Sequence, residues 1–205
     1  AMLFAAGSYL KQMSVVATGF VGLIAILIVF NENRWVRLTS FWQDDLWLNT
    51  SSKVYQTQQA LIGIARGDWF GTGLGAGVQK YGLLPERHTD MIFAVIGEEL
   101  GVVGMLFVIF SFAFILTKGF TIAQSALKKG RKYSSYVAFG ICTWFAMQIT
   151  VNIGMNLGLL PPKGFTLPLL SYGGTSMIFA IISLAIILRI DMESKTHYSK
   201  QRQYV

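Results

Sequence analysis

Apolar blocks long enough to cross a bilayer recur along this amino-acid sequence, and no other feature restricts its fold as strongly. A hydrocarbon core of about 30 Å takes roughly 20 helical residues to span. Inside it, backbone amides and carbonyls must find partners within the protein, so such blocks become helices. Residues 13–30 form one block, closed by Asn31, Glu32, Asn33 and Arg34; residues 91–120, 133–160 and 176–190 form three more. The stretch 1–10, ending at Lys11, is too short to span and fits the end of a preceding helix. The expected fold is an all-α polytopic membrane protein, with four full transmembrane helices plus the end of a fifth. Composition agrees, since 53% of the 205 residues are hydrophobic and only 13% charged, outside the range of ordinary soluble domains. The chain opens on Ala1 inside an apolar run without a basic leader, so no signal peptide is expected and it reads as part of something longer.

A net charge of +7 could point to nucleic acid, but the placement of the charges argues for topology. Segment 118–132 carries five Lys/Arg (Lys118, Lys128, Lys129, Arg131, Lys132) and no acid, and the tail beyond Arg189 adds Lys195, Lys200 and Arg202. By the positive-inside rule both are cytoplasmic. Residues 31–90 hold six basic and six acidic residues and fall on the outer side. Residues 1–30 then comprise a helix end and a full span, and 31–90 a large extracytoplasmic loop. Residues 91–205 supply three spans, with a cytoplasmic basic loop at 118–132, an outer loop at 160–175 and a cytoplasmic tail at 190–205. Trp35, Phe41, Trp42, Trp47, Tyr55, Trp69 and Phe70 lie among polar residues in the large loop, a pattern of interfacial helices at the headgroup level. The single cysteine, Cys142, excludes an intrachain disulfide and makes a cysteine metal site unexpected.

Four places can carry chemistry. In Leu84-Pro85-Glu86-Arg87-His88-Thr89-Asp90, a carboxylate stands immediately before a span. At that depth it is partly desolvated and, kept ionised by a neighbouring cation, serves as a base. The plainer reading is that Thr89 or Asp90 caps the helix, and both readings stay open. Glu98 and Glu99 sit inside the same span; intramembrane carboxylates face a cavity or a partner, so they line a polar cavity, make structural hydrogen bonds to neighbouring helices, or snorkel to the interface. The loop Gly71-Thr72-Gly73-Leu74-Gly75-Ala76-Gly77-Val78-Gln79-Lys80 offers amides and a cation to a diphosphate, or simply packs closely on a helix. It fails as a nucleotide motif, having no Gly-Lys-Ser/Thr. Finally, Lys163-Gly164-Phe165-Thr166-Leu167-Pro168 and Ser171-Tyr172-Gly173-Gly174-Thr175-Ser176 read as a rigid outer turn, with Ser171 or Ser176 placed to cap the last helix.

Pro85 to Asp90, Ile96-Gly97-Glu98-Glu99-Leu100-Gly101, Gly73-Leu74-Gly75 with Gln79-Lys80, and Ser171-Tyr172-Gly173-Gly174 occur together in an order that resembles the FtsW/RodA/SpoVE family of shape, elongation, division and sporulation proteins. Tyr55-Gln56 and Ser40-Phe41-Trp42 fit as well, and Lys163-Gly164 with Thr166-Leu167-Pro168 looks more like the division branch than the elongation branch. The chain departs from the family at Gln43-Asp44-Asp45, Met91, Pro162 and Phe165. The resemblance implies a ten-span protein of which this chain is the later half. It also implies a peptidoglycan glycosyltransferase of the bacterial inner membrane that polymerises lipid II, leaving undecaprenyl diphosphate, during septal cell-wall synthesis. A class B penicillin-binding protein and other division proteins are its implied partners, and nucleic acid is not.

On this reading Asp90 is the catalytic residue, a general base for the acceptor hydroxyl in an inverting transfer. Lys80, Gln79, Glu86, Arg87, His88, Lys163 and Ser171 are expected to bind substrate, with Lys80, Arg87 or Lys163 neutralising the departing diphosphate. No metal ligands are expected from the protein; a divalent cation, Mg or Mn, would have to come with the substrate diphosphate. The rival readings are a lipid II flippase and a non-catalytic division scaffold.

Overall fold

The computed structural model describes residues 14–15, 18–19, 22, 52–79, 84 and 88–203, with side chains assigned outside 52–54 and 196–203. The full span expected at 13–30 and the helix end before it therefore lie outside the described residues, apart from the few positions just given. Four long helices follow: α1 (Ser52–Gly67), α2 (Ile92–Lys128), α3 (Lys132–Asn156) and α4 (Gly174–Gln203). Among the described residues there is no strand. Three helices among the described residues are long and apolar enough to cross a membrane, namely α2, α3 and the Gly174–Lys195 part of α4. α1 falls within the loop where interfacial helices were expected.

The spans differ from their apolar blocks at the ends. α2 runs on to Lys128, so much of the basic segment 118–132 is helix and only residues 129–131 make the turn. α3 stops at Asn156 instead of 160, where Leu157 caps it and Gly158 takes a φ of 71°. α4 continues well past Ile190 into the polar tail, where Arg189–Glu193 (2.8 Å) and Lys195–Asp191 pair across one helical turn.

α2 is broken at Gly101, whose backbone (φ 68°, ψ −165°) is not helical. Continuing the helix would bond the amides of Val102 and Val103 to the carbonyls of Glu98 and Glu99. Those four groups instead bond to segment 68–73. Thr72 N–H donates to the Glu98 carbonyl (2.9 Å) and Gly73 N–H to that of Glu99 (3.1 Å), while Val102 and Val103 donate to the carbonyls of Asp68 (2.9 Å) and Trp69 (3.2 Å). Opened backbone is tolerated in a membrane span only when protein satisfies it, and here it does. Only glycine fits, because a Cβ at residue 101 would stand 2.5 Å from Gly71 N and Trp69 O. At Gly67 a Cβ would lie 1.9 Å from the Gly97 carbonyl, so the end of α1 rests directly on α2 backbone.

The core lies between α2 and α3. Phe93, Met105, Val108, Phe112, Phe145 and Ile149 pack together, joined by Ala180 of α4 and by Leu167 from the α3–α4 connection. At the basic end the packing residues are small, Ala123, Ala126 and Ala138 with Ile190, which lets helix backbones approach closely. Large apolar side chains point outward elsewhere: Phe107 is 73% exposed, and Phe110 and Phe114 share its helix. Such surface suits lipid or neighbouring helices.

Candidate functional site

Opposite the basic end, four pieces of chain meet: segments 68–79, 88–91 and 157–173 and the opened part of α2. Glu98 is fully buried there. Its carboxylate accepts the Val78 amide at 2.7 Å and the Gln79 amide at 3.2 Å, and the Arg66 guanidinium stands 4.0 Å away. Glu99 accepts the Gly75 amide at 3.1 Å. A buried carboxylate is tolerable only with such partners, and here they come from the glycine-rich loop. Of the readings held for this pair, structural hydrogen bonds are the ones formed, though to a loop and not to neighbouring helices. The same finding bears on the loop, whose amides at residues 75, 78 and 79 are engaged by the protein's own carboxylates. The loop packs closely as well, for a Cβ at Gly77 would lie 2.9 Å from Glu98 Oε2.

Asp90 precedes α2 and is partly buried. The N-cap of that helix is Met91, which makes no side-chain cap hydrogen bond, so the expectation of a cap from Thr89 or Asp90 is corrected by one position. The need for a cap is met from α3. Ala94 N–H donates to Asn156 Oδ1 at 3.0 Å, and Asn156 Nδ2 donates to the Asp90 carbonyl at 2.9 Å. Asn152 Nδ2 reaches the same carbonyl at 3.0 Å and also donates to the Phe165 carbonyl. One turn earlier on α3, Gln148 Nε2 donates to the Thr166 carbonyl at 2.9 Å. Both asparagines are fully buried.

The connection between α3 and α4 is drawn onto residues 88–90 as well. Ser171 Oγ donates to the Thr89 carbonyl and accepts the Leu167 amide, both at 2.6 Å, and Tyr172 N–H donates to the His88 carbonyl at 2.7 Å. Ser171 is thus a buried clasp between two loops, not the cap of α4. Ser176 does not cap it either, since its hydroxyl donates to the Gly173 carbonyl at 3.1 Å. These bonds set the Asp90 carboxylate against Gly164, where a Cβ would lie 3.6 Å from Oδ2. Lys163, next to it, is exposed.

The residues singled out in the sequence divide accordingly. Asp90, His88, Ser171 and the Lys163–Gly164 loop come together at one end of the bundle. Gln79 is buried beside Glu98, and its Oε1 has no hydrogen-bond partner among the described residues. Lys80, Glu86 and Arg87 lie outside the described residues. The sequence reading missed Gln148, Asn152 and Asn156. A signal was present: three carboxamides at spacings of four in an apolar span place one polar stripe on a helix that should have none.

The FtsW/RodA/SpoVE family model, described as a cell cycle protein, matches residues 1–196. A probable peptidoglycan glycosyltransferase FtsW of Legionella pneumophila is 46% identical over 95% of this chain and 49% of its own length. That of Francisella salina is 42% identical over 95% of the chain and 48% of its own, and that of Pseudoalteromonas translucida 44% identical over 95% and 48%. The chain spans about half the length of these curated relatives. A chain in a solved peptidoglycan synthase complex that coordinates polymerization and crosslinking superposes with a TM-score of 0.68 at 22% identity, covering 94% of this chain and 52% of that one. At that identity the likeness concerns the fold.

Proposed function

The chain belongs to the FtsW/RodA/SpoVE family of cell cycle proteins, and from that premise we propose that the whole protein is a peptidoglycan glycosyltransferase which polymerises lipid II. The observation that carries this reading is the placement of Asp90, a partly buried carboxylate fixed against the Lys163–Gly164 loop at the end opposite the basic cluster. With the cluster in the cytoplasm, Asp90 sits at the outer surface of the inner membrane. There it meets a substrate whose sugar faces outward and whose lipid stays in the bilayer.

Asp90 acts as general base. It takes the proton of an acceptor hydroxyl as that oxygen bonds to the anomeric carbon of the donor sugar from the face opposite the diphosphate. The anomeric carbon–diphosphate bond breaks, and undecaprenyl diphosphate leaves with the bonding pair. Such assistance contributes about 10² to 10⁴ in rate. Lys163, with Lys80 and Arg87, supplies cations for the charge developing on the leaving group. His88, Glu86 and Gln79 belong to the surroundings of the substrate, and Ser171 contributes by clasping the loops. Among the described residues no group of three or more His, Cys, Asp or Glu side chains could hold a metal ion.

A transport path would be served by intramembrane carboxylates lining a polar cavity, whereas Glu98 and Glu99 are engaged by loop amides. The likeness to a chain of a peptidoglycan synthase complex is in keeping with a class B penicillin-binding protein as partner, and the division-branch motifs with work at the septum. The test is purified full-length protein with that partner and fluorescent lipid II. Glycan chains of many repeats are expected. Movement of lipid II between leaflets without any polymer would overturn the proposal in favour of transport.

A further inference from the structure

We propose that Asn152 and Asn156 are positioning residues for Asp90, together forming a carboxamide clamp that fixes where the chain leaves helix α2 and so where the Asp90 carboxylate stands. In an uninterrupted helix the Ala94 amide would donate to the Asp90 carbonyl four residues earlier. Asn156 is inserted into that bond: its Oδ1 accepts the Ala94 amide (3.0 Å) and its Nδ2 donates to the Asp90 carbonyl (2.9 Å). The Ala94 amide also reaches back only three residues, to the Met91 carbonyl at 3.2 Å. Helical geometry therefore begins after Met91, and Asp90 is held outside the helix.

Asn152 adds the second half. Its Nδ2 donates both to the Asp90 carbonyl and to that of Phe165, the residue after Gly164, whose Cα faces the Asp90 carboxylate. One side chain thus ties the segment bearing the base to the loop in front of it. Asn156 Nδ2 is in turn 2.9 Å from the Asn152 carbonyl and 3.3 Å from its Oδ1, which couples the two amides. If the pair served helix packing alone, its bonds would be spread over the facing helix. They converge instead on one carbonyl, that of Asp90, and on its two neighbours in space. Because a misplacement of about 1 Å in a reacting group can cost about 10²-fold in rate, the clamp bears directly on turnover.

The inference rests on the assignment of Asp90 as base, so its test reads position and turnover separately. Full-length Asn156→Leu, of similar shape but without hydrogen-bonding atoms, and the milder Asn156→Ser are purified with the transpeptidase partner and given fluorescent lipid II. In parallel, Asp90→Cys with Cys142→Ala is treated with an impermeant thiol reagent, with and without Asn156→Leu. The expected result is a kcat lowered about 10- to 100-fold with KM within about twofold, partial recovery in the Ser variant, and a change of about fivefold or more in the modification rate of the cysteine at residue 90. Where the Leu variant does not fold, the Ser variant carries the same test with a smaller loss. An unchanged modification rate with unchanged turnover overturns the clamp and leaves the role of Asp90 standing. A changed modification rate with unchanged turnover shows that residue 90 moved without consequence, which overturns the positioning role and the general-base assignment together.

Discussion

At the basic end of the bundle α2 and α3 are joined by residues 129–131 alone, and part-buried polar groups tie α4 to that turn: Arg131 and Arg189 pair with Glu193, and Lys129 Nζ donates to the Ser194 carbonyl at 2.8 Å. At the opposite end the chain takes long irregular paths, and the groups that hold them are the buried side chains of Glu98, Asn152, Asn156 and Ser171, bonded almost wholly to main chain. Ion pairs whose side chains keep contact with solvent, as those of Glu193 with Arg131 and Arg189 do, are individually weak and tolerant of change. A buried acceptor or donor bonded to backbone is not, because removing it strands its partner without water. The contrast separates an end whose helices need only stay close from an end where particular main-chain atoms must stay in place.

The largest expected difference between the two ends is at their glycines. Gly101→Val places branched carbon against Gly71 N and Trp69 O at a positive φ, and a loss of about 3 kcal/mol or more, seen as little folded protein in the membrane, is expected. Gly130 also has a positive φ, of 78°, but nothing within 4 Å of a Cβ. Gly130→Ala should therefore show only the backbone cost of about 1–2 kcal/mol in thermal unfolding in detergent. Equal losses at the two positions would erase the distinction.

Glu98 comes next. Glu98→Leu leaves the Val78 and Gln79 amides without their acceptor, at about 1–3 kcal/mol for each stranded group, whereas Glu98→Gln keeps one acceptor oxygen and loses less. The check is the melting temperature together with protease sensitivity of segment 68–79; a Leu variant as stable as the Gln variant would mean the loop is held by other contacts. The smallest effect belongs to the basic end. Glu193→Gln should lower the melting temperature slightly, and less at high salt than at low, since its ion pairs keep contact with solvent and are screened in part. A large, salt-independent loss would place that cluster on the same footing as the buried carboxamides.

How much of this was legible depends on whether a feature changes the average character of a segment or only one group within it. Runs such as 102–117 and 177–190 declare themselves helices by apolar content alone, and the Asp90 motif declares a site by residue type at the membrane edge. The break at Gly101 did not show, because one glycine between Leu100 and Val102 leaves the apolar run intact and an isolated glycine is compatible with a helix. That Glu98 needed a partner was clear from its burial cost, but the partner is main chain some 20 residues earlier, a pairing no local pattern encodes. Asn152 and Asn156 were hidden in the same way: two amides barely lower the hydropathy of α3, and their meaning appears only when residues 90 and 165 are seen against them. Helix ends shifted for a comparable reason, with α4 prolonged by its i,i+4 ion pairs beyond the point where apolar character stops.

The central claim is that the fixed end of the bundle holds Asp90 as a base. The measurement that tests it most directly is polymerisation of fluorescent lipid II by full-length Asp90→Asn with the same partner, at matched folded protein and matched partner binding. Asn retains size and hydrogen-bonding capacity but cannot accept the proton, so the account predicts a rate lowered by about 10² to 10⁴ while melting temperature and partner binding stay as in the unmodified protein. Glycan made by Asp90→Asn at close to the unmodified rate would contradict it.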